Sequence, residues 1–224
     1  MTSHRIEDIE YRSLAEIHLD DATKLLTSAM LQREPLISSL DNTSYNVEYS
    51  ANYQLCQRAI RDGLSFVAID TSTNKLVGVA ASVICTEGEE GEYIYYAKDL
   101  KGREVYTPML AILGVLHGHG DPIAGITTTP SSLVAEIAKV TTHVDYGRMG
   151  ILTEITRRKL EVCKEKGLSI VMADATSPYS QRAFEKCGFH SVYEIQFDNF
   201  EFEGKKLFSN HPVAKCVQLM VKQL

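Results

Sequence analysis

The sequence predicts an α+β domain, and three observations carry that prediction. Residues 64–69 and 76–84 are two apolar, β-branched runs joined by the polar turn Asp70-Thr71-Ser72-Thr73-Asn74-Lys75, the pattern of a β-hairpin. Residues 140–188 read as strand, glycine-containing loop, helix, strand and helix. Near the C-terminus Tyr193, Ile195 and Phe197 alternate with Glu194, Gln196 and Asp198, and Val217, Leu219 and Val221 repeat the alternation, so two half-buried strands close the order. At 224 residues the chain is most simply one domain, 1–224, with enough length to bury a full core.

Taken in order, residues 6–14 suit a first strand. Asp20 and Asp21 offer an N-cap to a helix carrying Ala22, Leu25, Leu26 and Ala29 on one face. It runs into Gln32-Arg33-Glu34-Pro35-Leu36, where Pro35 biases Glu34 away from helical geometry. A second helix fits residues 49–61 and stops at Gly63. Beyond the hairpin, Glu87-Gly88-Glu89-Glu90-Gly91-Glu92 is an acidic solvated loop. Residues 106–116 suit a helix with Pro108 in its first turn. His117-Gly118-His119-Gly120 is a poor metal-ligand set without a carboxylate cluster beside it, and reads as a flexible loop. A strand covers residues 133–142. The helix after Gly150 gathers Ile151, Leu152, Ile155, Val162 and Cys163 into an arc of about 120°, with Arg157, Arg158, Lys159 and Lys164 set off it. Gly167 ends that helix, residues 168–173 form a buried strand, and residues 177–187 form the next helix.

Hydrophobic content of 44% and a net charge of −6 suit a soluble globular protein and argue against nucleic acid or an anionic membrane as the main partner. The five cysteines are scattered, with no C-x-x-C pair, and read as free thiols rather than a zinc site or a disulfide framework. No apolar run approaches the ~20 residues of a membrane span, and the first residues lack the apolar core of a signal peptide, so a cytoplasmic location is the expectation. Oligomeric state stays open.

The segment that carries chemistry begins at Val140-Thr141-Thr142-His143 and passes through Asp145-Tyr146-Gly147-Arg148-Met149-Gly150 into a helix. A strand that opens through such a loop onto a helix start turns several backbone N–H groups, and the positive end of the helix dipole, toward one point. That arrangement binds phosphate. One helix and one strand later comes Ala175-Thr176-Ser177-Pro178-Tyr179-Ser180, leading to Ala183-Phe184-Glu185-Lys186-Cys187-Gly188-Phe189. The pair suggests a site for a pyrophosphate-bearing carrier beside a second surface for a substrate.

These residues resemble the GNAT superfamily of acyl-CoA N-acetyltransferases. The loop at 145–151 is similar to that family's pyrophosphate loop, Arg/Gln-x-x-Gly-x-Gly/Ala, and the run 183–189 to its motif ending in Tyr-Glu-Lys-x-Gly-Phe. Within the superfamily the likeness is to animal arylalkylamine N-acetyltransferases of the insect dopamine type, through Glu34-Pro35-Leu36, Thr176-Ser177-Pro178-Tyr179-Ser180, and Val221-Lys222-Gln223-Leu224 after His211-Pro212. The resemblance spans nearly the whole chain and is weakest over residues 86–131. It implies a twisted, mostly antiparallel sheet of six or seven strands flanked by helices. It also implies acetyl-CoA as cosubstrate, no metal, and direct attack by a small-molecule primary amine in a ternary complex.

By the same resemblance, backbone amides of Gly147, Arg148, Met149, Gly150, Ile151 and Leu152 hold the pyrophosphate. Val140, Thr141 and Thr142 pair edge-on with the pantetheine, and the strand beside them splays away to admit it. Ser177 stands where many relatives place an asparagine facing pantetheine. Glu34 matches the proposed base, and Thr176 and Ser180 match hydroxyl positions that orient substrate or relay protons. The residues alone also allow a plainer reading, with Glu34 a surface carboxylate before a proline and Ser180 a helix-start residue. His143 reads as a loop residue bonded to backbone, and Tyr45, Tyr49, Tyr53 and Tyr179 are candidate linings of an acceptor tunnel.

The pattern breaks in three places. Gly147 stands where the family has Arg or Gln, Leu152 where it has Gly or Ala, and Phe184 where many relatives carry a tyrosine. The loop changes imply weaker acetyl-CoA binding than in a relative with the full motif. Two alternatives remain open on the sequence: a non-catalytic domain that binds acyl-CoA or a partner protein, and a protein or peptide N-acetyltransferase.

Overall fold

The computed structural model describes residues 5–41, 43–85, 104–118 and 134–224. The acidic loop at 87–92, and His119 and Gly120, lie outside the described residues. Seven strands form one sheet: β1 (Ile9–Ser13), β2 (Phe66–Asp70), β3 (Lys75–Cys85), β4 (Val134–Thr142), β5 (Ile170–Ala175), β6 (His190–Gln196) and β7 (Cys216–Gln223), in the order β1-β2-β3-β4-β5-β7-β6. All neighbours are antiparallel except β4 and β5. Among the described residues six α-helices accompany the sheet: α1 (Leu19–Arg33), α2 (Pro35–Ser38), α3 (Tyr45–Asp62), α4 (Thr107–Gly118), α5 (Ile151–Glu165) and α6 (Pro178–Lys186).

Strand alternation sorts the helices onto two faces. On one face, Leu26 of α1 and Leu55 of α3 pack on Val67, Val79, Ala81 and Val83. Further along it, Ile112 and Leu116 of α4, with Leu36 and Ile37 of α2, cover Ile170, Met172, Val217, Leu219 and Val221. On the opposite face Ile151 and Ile155 of α5 lie over Ala68, Val77 and Ala80. Leu160 and Cys163 of α5 and Phe184 of α6 cover Ala135, Ile137, Val171, Ala173 and Ala175.

The punctuation is chemical. Gly63 ends α3 in the left-handed region at φ 67°, which only glycine adopts without steric cost. Pro35 holds Glu34 at φ −74° and ψ 121°, so α1 stops and α2 starts with the proline at its first position. Leu36 and Ile37 are then buried and pin the short helix down.

Several sequence expectations need correction. Asp20 and Asp21 do not cap α1; His18 is the N-cap residue and both aspartates lie in the first turn, where they complement the helix dipole. His117 belongs to the last turn of α4 rather than to a flexible loop. Lys159 is not off the apolar arc of α5: it is fully buried, because steps of four from Ile151 and Ile155 place it in the middle of the stripe. Tyr45, Tyr49 and Tyr53 stack along α3 with centroids 6.0 and 6.2 Å apart, Tyr49 donates to Asp20, and Tyr45 and Tyr179 are exposed.

Candidate active site

The central event is a parting of two strands. β4 and β5 pair in parallel at only three positions, Val134 with Ile170, Ala135 with Val171 and Glu136 with Met172. β4 continues to Thr142 and β5 to Ala175, so beyond Glu136 and Met172 the sheet opens into a cleft. A bulge helps to turn β4: its pairing with β3 moves from Ser82–Ile137 to Ala81–Lys139 and skips Ala138. His143 donates its N–H to the Val77 carbonyl, and by antiparallel alternation the N–H and C=O of Thr142 and Val140 then face away from β3, toward the cleft. The Arg33 guanidinium fills part of that edge. It donates to Thr142 O at 2.9 Å and to Thr141 Oγ1 at 3.0 Å.

At the cleft mouth the chain enters α5 through the expected loop. Arg148 has φ 65° and Gly150 φ 76°, so two positive-φ residues bracket Met149. Such turns point successive N–H groups inward and form an anion-binding concavity. Holding a non-glycine residue there costs on the order of 1 kcal/mol, a strain that clusters at ligand sites. No side chain caps the α5 N-terminus among the described residues, which leaves the N–H groups of Ile151, Leu152 and Thr153 directed at the same point. The helix end is seated closely: a Cβ on Gly78 of β3 would lie 2.8 Å from Ile151 Cγ2. Arg157 and Lys186 line the hollow beside Gly150 and Thr153. His143 accepts the Asp145 N–H through Nδ1, as its loop position suggested.

On the other side of the cleft the structure brings Glu34 to Thr176. Glu34 is partly buried; its Oε2 accepts the Ile37 N–H at 2.7 Å, which caps α2, and the nearby Thr176 hydroxyl favours its ionised form. Burial pushes its pKa above the usual carboxylate range, against the pull of Ile37 N–H, the Thr176 hydroxyl, Leu36 N–H and the Lys139 charge. Lys139 is itself buried beside Glu48, 3.7 Å away.

Ser180 is not brought to Glu34 by any hydrogen bond among the described residues. Ser177 and Ser180 instead cap α6 together. Ser177 Oγ accepts the Ser180 N–H at 3.2 Å, Ser180 Oγ accepts the Ser177 N–H at 3.3 Å, and the two hydroxyls lie 3.0 Å apart. Phe184, in place of the tyrosine, is buried against Phe189.

Sequence reasoning missed one pair. His117 Nε2 lies 2.9 and 3.0 Å from the two carboxylate oxygens of Asp174, which sits on β5 two residues before Thr176. The available signal was the alternation that puts Asp174 and Thr176 on one face; the glycines around His117 hid its half.

The site is a cleft between two parting parallel strands, with an uncapped helix start at its mouth and a carboxylate across it. The model of the acetyltransferase (GNAT) family matches residues 34–189. The chain belongs to that family and is an N-acetyltransferase. Its fold is shared with arylalkylamine N-acetyltransferase 2 from Aedes aegypti (TM-score 0.80, 19% identity, covering 96% of this chain and 99% of that one). It is also shared with the Drosophila melanogaster polyamine N-acetyltransferase that forms N-acetylagmatine (TM-score 0.75, 17% identity, covering 97% and 100%). A third likeness is to the C-terminal condensation domain of Ebony in complex with β-alanyl-dopamine (TM-score 0.76, 17% identity, covering 96% and 99%).

Proposed function

We propose that this protein transfers an acetyl group from acetyl-CoA to the primary amine of a small molecule, with Glu34 as the base. The observation that carries the reading is a partly buried carboxylate, Glu34, held by the Ile37 N–H beside the opening between β4 and β5. The residues present fit the cosubstrate. The uncapped N–H groups of the α5 start and the positive-φ turn at Arg148 and Gly150 suit a pyrophosphate, and the cleft-facing backbone of Val140 and Thr142, with Thr141 between them, suits a chain of amides. Gly147 and Met149 complete that loop, and Ser177 stands at the head of α6 on the far side of the opening. Acetyl-CoA supplies a thioester, an acyl donor that an unprotonated amine attacks.

An alkylammonium holds its proton at neutral pH and has no lone pair to offer. Glu34 receives that proton, directly or through water, and burial makes its carboxylate a stronger base than an exposed one. The acetyl group moves to nitrogen, the thiolate leaves, and a proton returns to sulfur. Thr176 tunes and orients Glu34, while Ser180 acts as a positioning residue that fixes the α6 start and with it the Thr176 segment. The Arg33 side chain must leave the Thr142 carbonyl wherever a pantetheine amide takes its place.

Calorimetric titration with acetyl-CoA, followed by turnover of an amine panel, tests the reading. Glu34→Gln keeps the acceptor for Ile37 N–H, so the fold is retained, and kcat is expected to fall about a hundredfold. A Glu34→Gln protein with full turnover from pH 6 to 9 would remove Glu34 from the mechanism. Absence of acetyl-CoA binding at millimolar concentration would overturn acetyl transfer altogether.

A further inference from the structure

Ile170, Met172, Asp174 and Thr176 occupy alternate positions and so share one face of β5. Ile170 and Met172 are core residues beneath α4 and α2; Asp174 and Thr176 continue the row past the last β4–β5 pair, into the cleft. The row therefore carries two carboxylate stations: Glu34, which reaches Thr176, and Asp174 itself, about 7 Å back along the strand. Asp174 is opposed by His117, with both side chains incompletely buried at 15% and 18% exposure.

The balance at His117 is electrostatic. Burial disfavours its cation, but Asp174 on β5 and Glu136 on β4 favour it, and the net effect raises its pKa. Those two carboxylates are the charged groups facing it among the described residues. Glu136 in turn lies 3.8 Å from the Cys85 thiol of β3. β6 and β7, which also pack on α4, bring Tyr193, Ile195, Val217, Leu219 and Val221. A histidine whose cationic form two carboxylates favour thus sits on Asp174, next to the proposed reaction centre.

We propose that Asp174 is a specificity-determining residue that binds a second cationic group on the acceptor, an ammonium or guanidinium, while the reacting amine lies at Glu34. His117 is the cation that competes for the same carboxylate. The inference rests on the acceptor site proposed above and narrows its substrate class to small aliphatic amines with two positive charges. When His117 is neutral, the incoming cation meets at Asp174 only a neutral Nε2–H donor and no competing charge. When it is protonated, the acceptor must displace it or share.

The test compares 1,4-diaminobutane with butylamine, matched in length and differing by one charge. In the unaltered protein kcat/KM for the diamine is expected to exceed that for the monoamine by at least about tenfold at pH 8, well beyond the factor of two from its equivalent ends. The ratio should climb with rising pH as His117 loses its proton; effects of Glu34 ionisation divide out because both amines need it. In Asp174→Asn the ratio collapses toward two, whatever loss the two amines share. In His117→Gln, which keeps a neutral donor to Asp174, the ratio is expected to be high at pH 6 and flat with pH. A ratio near two in the unaltered protein overturns the proposal. So does an Asp174→Asn protein that slows both amines by the same factor, which would leave the pair as a tie between α4 and β5. Calorimetry separates the two failures: a protein that binds no acetyl-CoA refutes the acetyl-transfer reading first, whereas one that binds it and turns over both amines alike refutes only the role of Asp174.

Discussion

Glu34 serves two masters through one carboxylate. It caps α2 through the Ile37 N–H, and its proton affinity is set by burial working against that bond, the Thr176 hydroxyl, the Leu36 N–H and Lys139. Thr176→Val removes one of the opposing donors and keeps the β-branched shape. The carboxyl should then titrate at still higher pH, because a hydrogen bond to its ionised form has been lost. Since the base must be ionised, the acidic limb of kcat against pH is expected to move upward. Turnover falls on the acidic side of the profile and recovers as pH rises. A pH–rate profile checks this; a loss of equal size at every pH would instead make Thr176 a contact to substrate. The same scale shows why part of the site was hidden in the sequence. The helix break at Glu34 was legible because a proline follows it, whereas the role of its carboxylate entered only through the family likeness. His117 was not legible, because its partner lies 57 positions away and no local spacing encodes that pairing.

At the scale of elements, the site is a loop, a helix start and two strands that separate. Gly147 has φ −59° and ψ 147°, an extended conformation open to any residue, and a Cβ there would meet only the Val144 carbonyl at an ordinary 3.4 Å. Nothing in the backbone requires glycine. Gly147→Gln restores the polar side chain of the family pattern, and acetyl-CoA is expected to bind about tenfold tighter, the worth of roughly one hydrogen bond to a charged group. Calorimetry should find the same gain for ADP, which locates it at the pyrophosphate; an unchanged Kd would mean the phosphates lie elsewhere. The elements themselves were largely readable. Gly63, Gly167 and Gly188 each mark an end at positive φ, and the alternation at Val217, Leu219 and Val221 maps onto buried positions of β7. The separation of β4 from β5 was not readable from either strand, since it is a property of how far their pairing runs. It entered only through the family likeness.

At the scale of the molecule, the sheet is gripped from both faces, and one grip contains a charge. Lys159 of α5 is fully buried and donates to the Ser82 hydroxyl of β3; burial pushes its pKa down to about 7, against the weaker pull of Cys163 and Glu136. In the unfolded chain the amine titrates near 10.4. Between those values the unfolded state binds more protons than the folded one, so stability rises with pH. The increase is at most about 1.4 kcal/mol per pH unit, begins near pH 7 and ends near 10.4. Below pH 7 the amine is protonated in both states and the slope from this group vanishes. Lys159→Met keeps the length of the side chain and removes the charge, so the variant is expected to be the more stable protein at pH 6.5. Its advantage should shrink steadily from pH 7 to pH 9. Denaturant unfolding of both proteins across that range checks the sign, because every other titrating group is common to the pair and cancels in the difference. A variant whose advantage is constant with pH would show that Lys159 keeps its proton in the fold, held by Glu136 more strongly than burial opposes it.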